Sequence, residues 1–232
     1  KLSDLISEIA KIDALKRIRY TTSHPKDFTE DLIQAHKDCA KLMPLIHLPV
    51  QSGSNRILEN MNRKHTIEDY LQIIKKLKKV NPNIKLSSDF IIGYPGETQD
   101  DFEKTLELVR NVKFINSYSF IFSARPGTPS FHLKKIDNNL AKERLLIFQK
   151  ISKQIKTEYR EELLEKTIPV LFENKTKNEN KYFGRDECFN SVIVESHEDL
   201  TGKIKNIIIT KVSQNTLFGE ISSKLIHKDF AA

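Results

Sequence analysis

Apolar residues recur at three- and four-residue intervals in some stretches of this chain and in short unbroken runs in others. Up to about residue 165 the two patterns alternate. The spacing of Leu2, Leu5, Ile6 and Ile9 predicts a helix over 2–12. A short strand is expected at 17–21, turning at Ser23-His24-Pro25. A helix over 29–40 follows, opened by Thr29 with Glu30 and Asp31 in its first turn. The run at 45–50 reads as a second strand, ending in Gln51-Ser52-Gly53-Ser54. Helices are expected over 55–61 and 66–80, the latter from the capping pattern Thr66-Ile67-Glu68-Asp69 and stopped by Pro82. Strands at 85–92 and 116–122 flank a helix at 99–112. Such alternation predicts parallel β/α units.

A long helix is then expected over 139–164, with Ile147, Ile151, Ile155 and Tyr159 forming one apolar stripe. Beyond it the pattern shortens. Strands at 167–172, 181–184, 191–194, 202–210 and 216–221, parted by polar or glycine turns, predict a small antiparallel β-barrel. The fold class is therefore α/β, with a partial parallel (β/α) barrel over 1–165 followed by the small barrel over 166–232. Four parallel strands are fewer than a complete eight-unit barrel requires, so the chain reads as the carboxyl-terminal part of a larger protein.

The candidate chemistry sits where these strands end. Phe90-Ile91-Ile92 is a buried-strand run that stops at Gly93-Tyr94-Pro95-Gly96 and passes through Glu97-Thr98 into an acidic first helical turn, Asp100-Asp101. Gln51 and Ser52 leave the second strand as hydrogen-bonding groups suited to ribose hydroxyls. Arg125, in Ser123-Ala124-Arg125-Pro126-Gly127-Thr128-Pro129, supplies a fixed fork for phosphate or carboxylate. Each motif taken alone also fits ordinary turn chemistry. With Thr21-Thr22-Ser23-His24-Pro25 at the end of the first strand, there are four at the same end of successive parallel strands, and together they predict a ligand-binding face. A lone histidine such as His47 reads more readily as a hydrogen-bonded core residue than as a catalyst. No nucleophile elbow, P-loop, His-Glu-x-x-His or Cys-x-x-Cys occurs, so the residues present bind and position.

Composition narrows the setting. The net charge is +7, with 28 basic against 22 acidic residues in the first 165 and 10 against 9 afterwards. This is compatible with a nucleic-acid partner and equally with lysine-rich solvated helices. The absence of a long apolar run argues against a membrane span. Two lone cysteines, Cys39 and Cys188, fit a reducing, cytoplasmic compartment and are too few to hold a metal cluster unaided. The chain is expected to be a monomer.

Three stretches carry a family resemblance: HLPVQSGSNRILENMNRKHT, SSDFIIGYPGET-x-x-DF and YSFIFSARPGTP. In this order they resemble the radical S-adenosylmethionine methylthiotransferases. YTTSHP resembles the tRNA-acting, MiaB-like branch, which methylthiolates N6-isopentenyladenosine beside the anticodon. The terminal barrel resembles the TRAM RNA-binding domain, which is OB-like. The resemblance implies S-adenosylmethionine as cofactor, a tRNA anticodon stem-loop as partner and an external electron donor. It also implies 4Fe–4S clusters whose Cys-x3-Cys-x2-Cys ligands this chain lacks. It places Ile91, Ile92 and Gly93 against adenine and Gln51 and Ser52 near the ribose and methionyl groups. Arg63 and Arg125 fall near the cofactor carboxylate or RNA phosphates. In the small barrel Lys175, Lys177, Arg185, Lys203 and Lys205 are candidates for phosphate contacts, and Phe172, Phe183, Phe189 and Phe218 are core residues or base-stacking ones. The competing expectations are a non-catalytic RNA-binding fragment and a ribosomal-protein-modifying relative.

Overall fold

The computed structural model describes residues 1–21, 24–177 and 180–222. Two compact units are present, Lys1–Lys156 and Thr157–Ala232, and the division falls inside one long helix. Among the described residues no helix is long and apolar enough to cross a membrane.

The first unit is built on a three-stranded parallel sheet in the order β1-β2-β3, with β1 at Leu45–His47, β2 at Lys85–Ile92 and β3 at Asn116–Ile121. Its helices are α1 (Leu2–Ala10), α2 (Glu30–Asp38), α3 (Asn55–Asn60), α4 (Ile67–Val80), α5 (Gln99–Val112) and α6 (Asn138–Glu161), the last continuing into the second unit. Helices α4 and α5 begin where the sequence says they must. In each, a threonine hydroxyl (Thr66, Thr98) accepts the amide of an aspartate three residues on, and that aspartate accepts the threonine amide in return. Leu86, Ser88, Phe90 and Ile92 alternate into the sheet face packed with helices, where Phe90 meets Phe114 and Phe148.

The expected first strand, 17–21, is reduced to one parallel bridge, Ile18 to Leu42. Ile18 is the one buried side chain of that segment, it lies between Arg17 and Arg19, and Tyr20 is drawn to His36 on α2. That leaves too little apolar surface for a ladder. Among the described residues the part-barrel therefore has three strands where four were expected.

The second unit is a closed barrel in the order β4-β5-β6-β8-β7: β4 Thr167–Lys175, β5 Lys181–Arg185, β6 Ser191–Glu195, β7 Ile204–Val212 and β8 Leu217–Ile221. Val170, Phe172, Tyr182, Val192, Val194, Ile207, Ile209 and Leu217 fill its interior. One pairing departs from the antiparallel expectation. Strands β6 and β8 run parallel, so the barrel is mixed. Arg160, from the last turn of α6, donates to the Ser213, Gln214 and Asn215 carbonyls and fixes the β7–β8 turn.

Candidate functional site

Because β1, β2 and β3 are parallel, the loops leaving them emerge at one edge. Backbone bonds continue the ladder there: the Gln51 amide donates to Asp89 at 2.9 Å, and the Ile91 amide to Gln51 at 2.9 Å. Gln51 has φ +76°, in the left-handed region. A non-glycine residue held there marks local backbone strain, a common feature of ligand-binding loops.

Ser52, Gly53 and Ser54 turn away from that open edge and into α5. Ser52 is 1% exposed, with its hydroxyl 3.4 Å from that of Thr105. Gly53 donates its amide to Thr105 at 2.9 Å, and a Cβ on it would lie 2.4 Å from the Lys104 carbonyl oxygen. The Ser54 hydroxyl donates to Asp101 at 2.6 Å. Asp101 also accepts the Thr98 amide and hydroxyl and pairs with Arg56. Burial alone would raise the Asp101 pKa, but hydrogen bonds from Arg56, Ser54 and Thr98 hold it well below the usual carboxylate range. The loops after β1 and β2 are thereby fastened to each other.

Gly93 ends β2 with φ +76°, and its amide donates to the buried Glu97 carboxylate at 3.1 Å. Arg144 of α6 clasps Glu97 from the other side, at 2.8 Å to the carboxylate and 3.1 Å to the carbonyl. Burial pushes the Glu97 pKa up against the opposing pull of the Gly93 amide and Arg144. Ile92 is fully buried on the helical side, so neither its side chain nor that of Ser52 reaches the open edge.

The other face of the sheet is open. Strand periodicity and register put His47, Ser87, Asp89, Ile91, Tyr118 and Phe120 on it, with Tyr118 and Phe120 more than half exposed. His47 Nδ1 lies 2.9 Å from the Ser87 hydroxyl and Nε2 3.5 Å from Asp89, and its ring meets Tyr118 edge-on. Arg63 is half-buried and attracted by Asp89; its pKa is lowered by desolvation. The structure thus brings Gln51 and Ile91 to one edge with Gly93, which is itself buried against Ile136 and Ala141. Arg125 stands exposed in the loop after β3, where the Thr128 hydroxyl closes a turn on its carbonyl at 2.7 Å. Ser23 lies outside the described residues. Asp89, His47 and Tyr118 were not singled out as site residues, although the alternation in Ser87-Ser88-Asp89-Phe90-Ile91-Ile92 puts Asp89 opposite the buried face.

In the barrel, Arg185, Lys203 and Lys205 lie on or beside the two strands flanking the middle of β4: Leu171 pairs with Arg185, Val170 with Lys205, and Phe172 donates its amide to Lys203. Lys175 and Lys177 lie at the β4–β5 end, apart from them. Of the four phenylalanines, Phe172 is core and Phe189 is 49% exposed.

Comparison with known proteins decides the family. Residues 1–109 match the Radical SAM superfamily and residues 163–222 the TRAM domain. The chain is a radical SAM segment followed by a TRAM domain. It is 53% identical over 224 residues to the tRNA-2-methylthio-N(6)-dimethylallyladenosine synthase of Pelagibacter ubique, covering 96% of this chain and 50% of the relative. To the enzyme of that name from the Wolbachia of Brugia malayi it is 50% identical over 221 residues, covering 94% and 50%. The chain thus spans about half the length of the curated relatives it matches. In fold it is similar to coproporphyrinogen III oxidase from Escherichia coli, with a TM-score of 0.54 at 13% identity, covering 94% of this chain and 55% of that one.

Proposed function

We propose that this radical SAM–TRAM chain supplies the cofactor-cradling and RNA-binding half of a tRNA methylthiotransferase acting on N6-isopentenyladenosine beside the anticodon. The observation that carries the reading is the open carboxyl edge, where strained Gln51, Ile91 and the Gly93 turn converge. It belongs to a chain half-identical along nearly all its length to synthases of that name. In this reading Gln51 meets the ribose and methionyl end of S-adenosylmethionine, the Ile91-Ile92-Gly93 backbone packs on adenine, and Arg63 and Arg125 hold the carboxylate or RNA phosphates. Lys175, Lys177, Lys203 and Lys205 supply phosphate contacts in the barrel, and Arg185 joins them as a contact to the RNA.

The donor set fits the organic cofactor and not the cluster. Such clusters need thiolates, and Cys39 and Cys188 belong to different units. Among the described residues no group of three His, Cys, Asp or Glu side chains is arranged to hold a metal. The chain by itself is therefore proposed to be inactive, with the ligands, and the tRNA chemistry they drive, coming from the half it does not span.

The test is a fusion of the missing half of the Pelagibacter ubique relative ahead of this chain, reconstituted anaerobically with iron, sulfide and reductant and supplied with S-adenosylmethionine and an anticodon stem-loop RNA that carries N6-isopentenyladenosine. Methylthiolated nucleoside in an anticodon stem-loop RNA is expected, with Gln51→Ala and Arg63→Ala weakening S-adenosylmethionine binding. A fusion that cleaves the cofactor yet leaves that RNA unmodified overturns the substrate assignment.

A further inference from the structure

The turn between β5 and β6 holds an aromatic ring outward. Phe189 has φ +65°, a region a bulky residue adopts only when its surroundings impose it. Those surroundings are buried and polar. Asp186 accepts the Asn190 amide at 2.7 Å and its side-chain amide at 2.8 Å, and Asn190 also donates to the Tyr159 hydroxyl at 3.1 Å. The Phe189 amide closes the turn on Asp186 at 3.2 Å. The ring left half exposed by this arrangement carries the Arg185 guanidinium 4.1 Å above its centroid, and the same guanidinium lies 5.1 Å from the Phe183 ring. Glu173, 3.3 Å from Arg185 Nε, and the Phe189 carbonyl, 3.4 Å from Nη1, fix the plane of the fork.

The neighbouring strands extend this feature. Phe183, Ile193 and Phe218 occupy successive cross-strand positions on β5, β6 and β8. Each alternates with interior residues, Tyr182 and Gly184, Val192 and Val194, Leu217 and Gly219, so all three lie on the outer face. Lys211, paired with Phe218 across β7–β8, brings its ammonium 5.9 Å from that ring. The result is a stripe, Phe189-Arg185-Phe183-Ile193-Phe218-Lys211, in which aromatic and aliphatic side chains are bracketed by cations. It starts on the second and third strands of a five-stranded barrel whose order is that of an OB-fold, the face on which such barrels take oligonucleotides, and runs on across the fifth and fourth.

We propose that this stripe is a stacking platform for unpaired nucleobases of RNA, with Phe189 and the Arg185 plane as its leading site. The inference rests on the RNA-binding reading of the barrel and adds the form of RNA it selects. A flat guanidinium on an aromatic ring offers a π-surface that any base extends. The Glu173 carboxylate beside Arg185 disfavours a phosphate at that spot, which assigns the site to bases. A duplex, whose bases are already stacked, has no face to offer it.

The chain contains no tryptophan, so Phe189→Trp installs a single reporter at the platform. Titrated into the full 232-residue chain, oligoadenylate is expected to quench this emission saturably. A duplex of equal length, and an abasic strand of equal charge, leave it unchanged. Phe189→Leu is expected to weaken oligoadenylate binding roughly 5- to 150-fold, the range for loss of one base–aromatic stack, with the salt slope unaltered. Phe189→Tyr retains binding. The position is exposed, and circular dichroism confirms that the variants fold. If single strand, duplex and abasic strand bind alike and Phe189→Leu changes nothing, the platform is wrong while RNA binding stands. If no RNA binds even at low salt, the RNA-binding reading falls and the platform with it.

Discussion

The Ser54 hydroxyl donates to the Asp101 carboxylate at 2.6 Å, joining the turn after β1 to the first turn of α5. Asp101 also takes Thr98 and Arg56, so one buried carboxylate organises the loops after two adjacent strands. Removing it leaves Ser54 and the Thr98 amide without their acceptor. Asp101→Ala is expected to destabilise the chain by about 3 kcal/mol, the order seen when one partner of a buried charged network is deleted. Because its folded pKa is depressed, its contribution is complete above the ordinary carboxylate range and lost as pH falls through the folded value. Urea unfolding at neutral and acidic pH checks both. A variant as stable as the parent at neutral pH would show that the network holds nothing.

Two glycines separate close packing from backbone conformation. At Gly53 a Cβ would meet the Lys104 carbonyl at 2.4 Å and the Thr105 Cα at 2.5 Å, backbone atoms that cannot swing aside. At Gly96 nothing lies within 4 Å, and the demand is only its φ of +79°. Gly53→Ala is therefore expected to cost about 3 kcal/mol or more, and Gly96→Ala about 1 kcal/mol. Denaturation midpoints of the two variants give the comparison, and equal losses would contradict it.

These residues also show what was legible in the sequence. Helix α5 was readable to its boundaries because the acidic first turn after Thr98 is a local signal, and β2 because an apolar run with a glycine stop is one too. The 17–21 strand misled because a short apolar-polar run does not reveal how little of it will be buried. The parallel β6–β8 pairing depends on barrel closure, which no local pattern reports. At the site, Gln51 and Gly93 were legible as strand-end residues. Ser52 and Gly53 were read as ligand or turn chemistry, whereas their surroundings come from α5, some fifty positions away. Arg144 carries no motif at all. Its role depends on where α6 crosses the β2–α5 loop.

His36 and His65 are buried, and desolvation lowers each pKa to about 4, with His24 and Arg63 adding to the effect at His65. Each is neutral in the folded chain and takes up a proton on unfolding below its ordinary value near 6.5. The unfolded state therefore binds more protons between about pH 4 and 6.5, and stability rises with pH across that window, by up to about 1.4 kcal/mol per pH unit per histidine. Neither His65 ring nitrogen makes a hydrogen bond by geometry, although the Val50 backbone lies close. His65→Phe is accordingly expected to remove its share of the slope while keeping neutral-pH stability within about 1.5 kcal/mol. Stability measured at several pH values tests this, and an unchanged slope would exclude His65 as a contributor.

Arg144 and Glu97 form the most buried ion pair in the first unit among the described residues, with side chains 5% and 3% exposed. Arg144 reaches Glu97 through carboxylate and carbonyl, touches Gln99 at 3.3 Å, and lies 5.4 Å from the Phe102 ring centroid. Glu97 in turn holds the Gly93 amide. Burial opposes the charge on Glu97 and the partner restores it, so deleting one member alone strands the other. Arg144→Met is expected to cost about 3–5 kcal/mol, and Arg144→Met with Glu97→Gln together less than the sum of the two single changes. The chain of contacts also fixes a local signature. Exchange of the Gly93 amide with solvent should quicken in Arg144→Met, measured under conditions where the variant remains folded. Additive losses in the cycle, or unaltered Gly93 exchange, would mean that α6 does not set the conformation of the β2–α5 turn. If both effects appear, the turn proposed to pack on adenine is held from outside the sheet by Arg144 of α6.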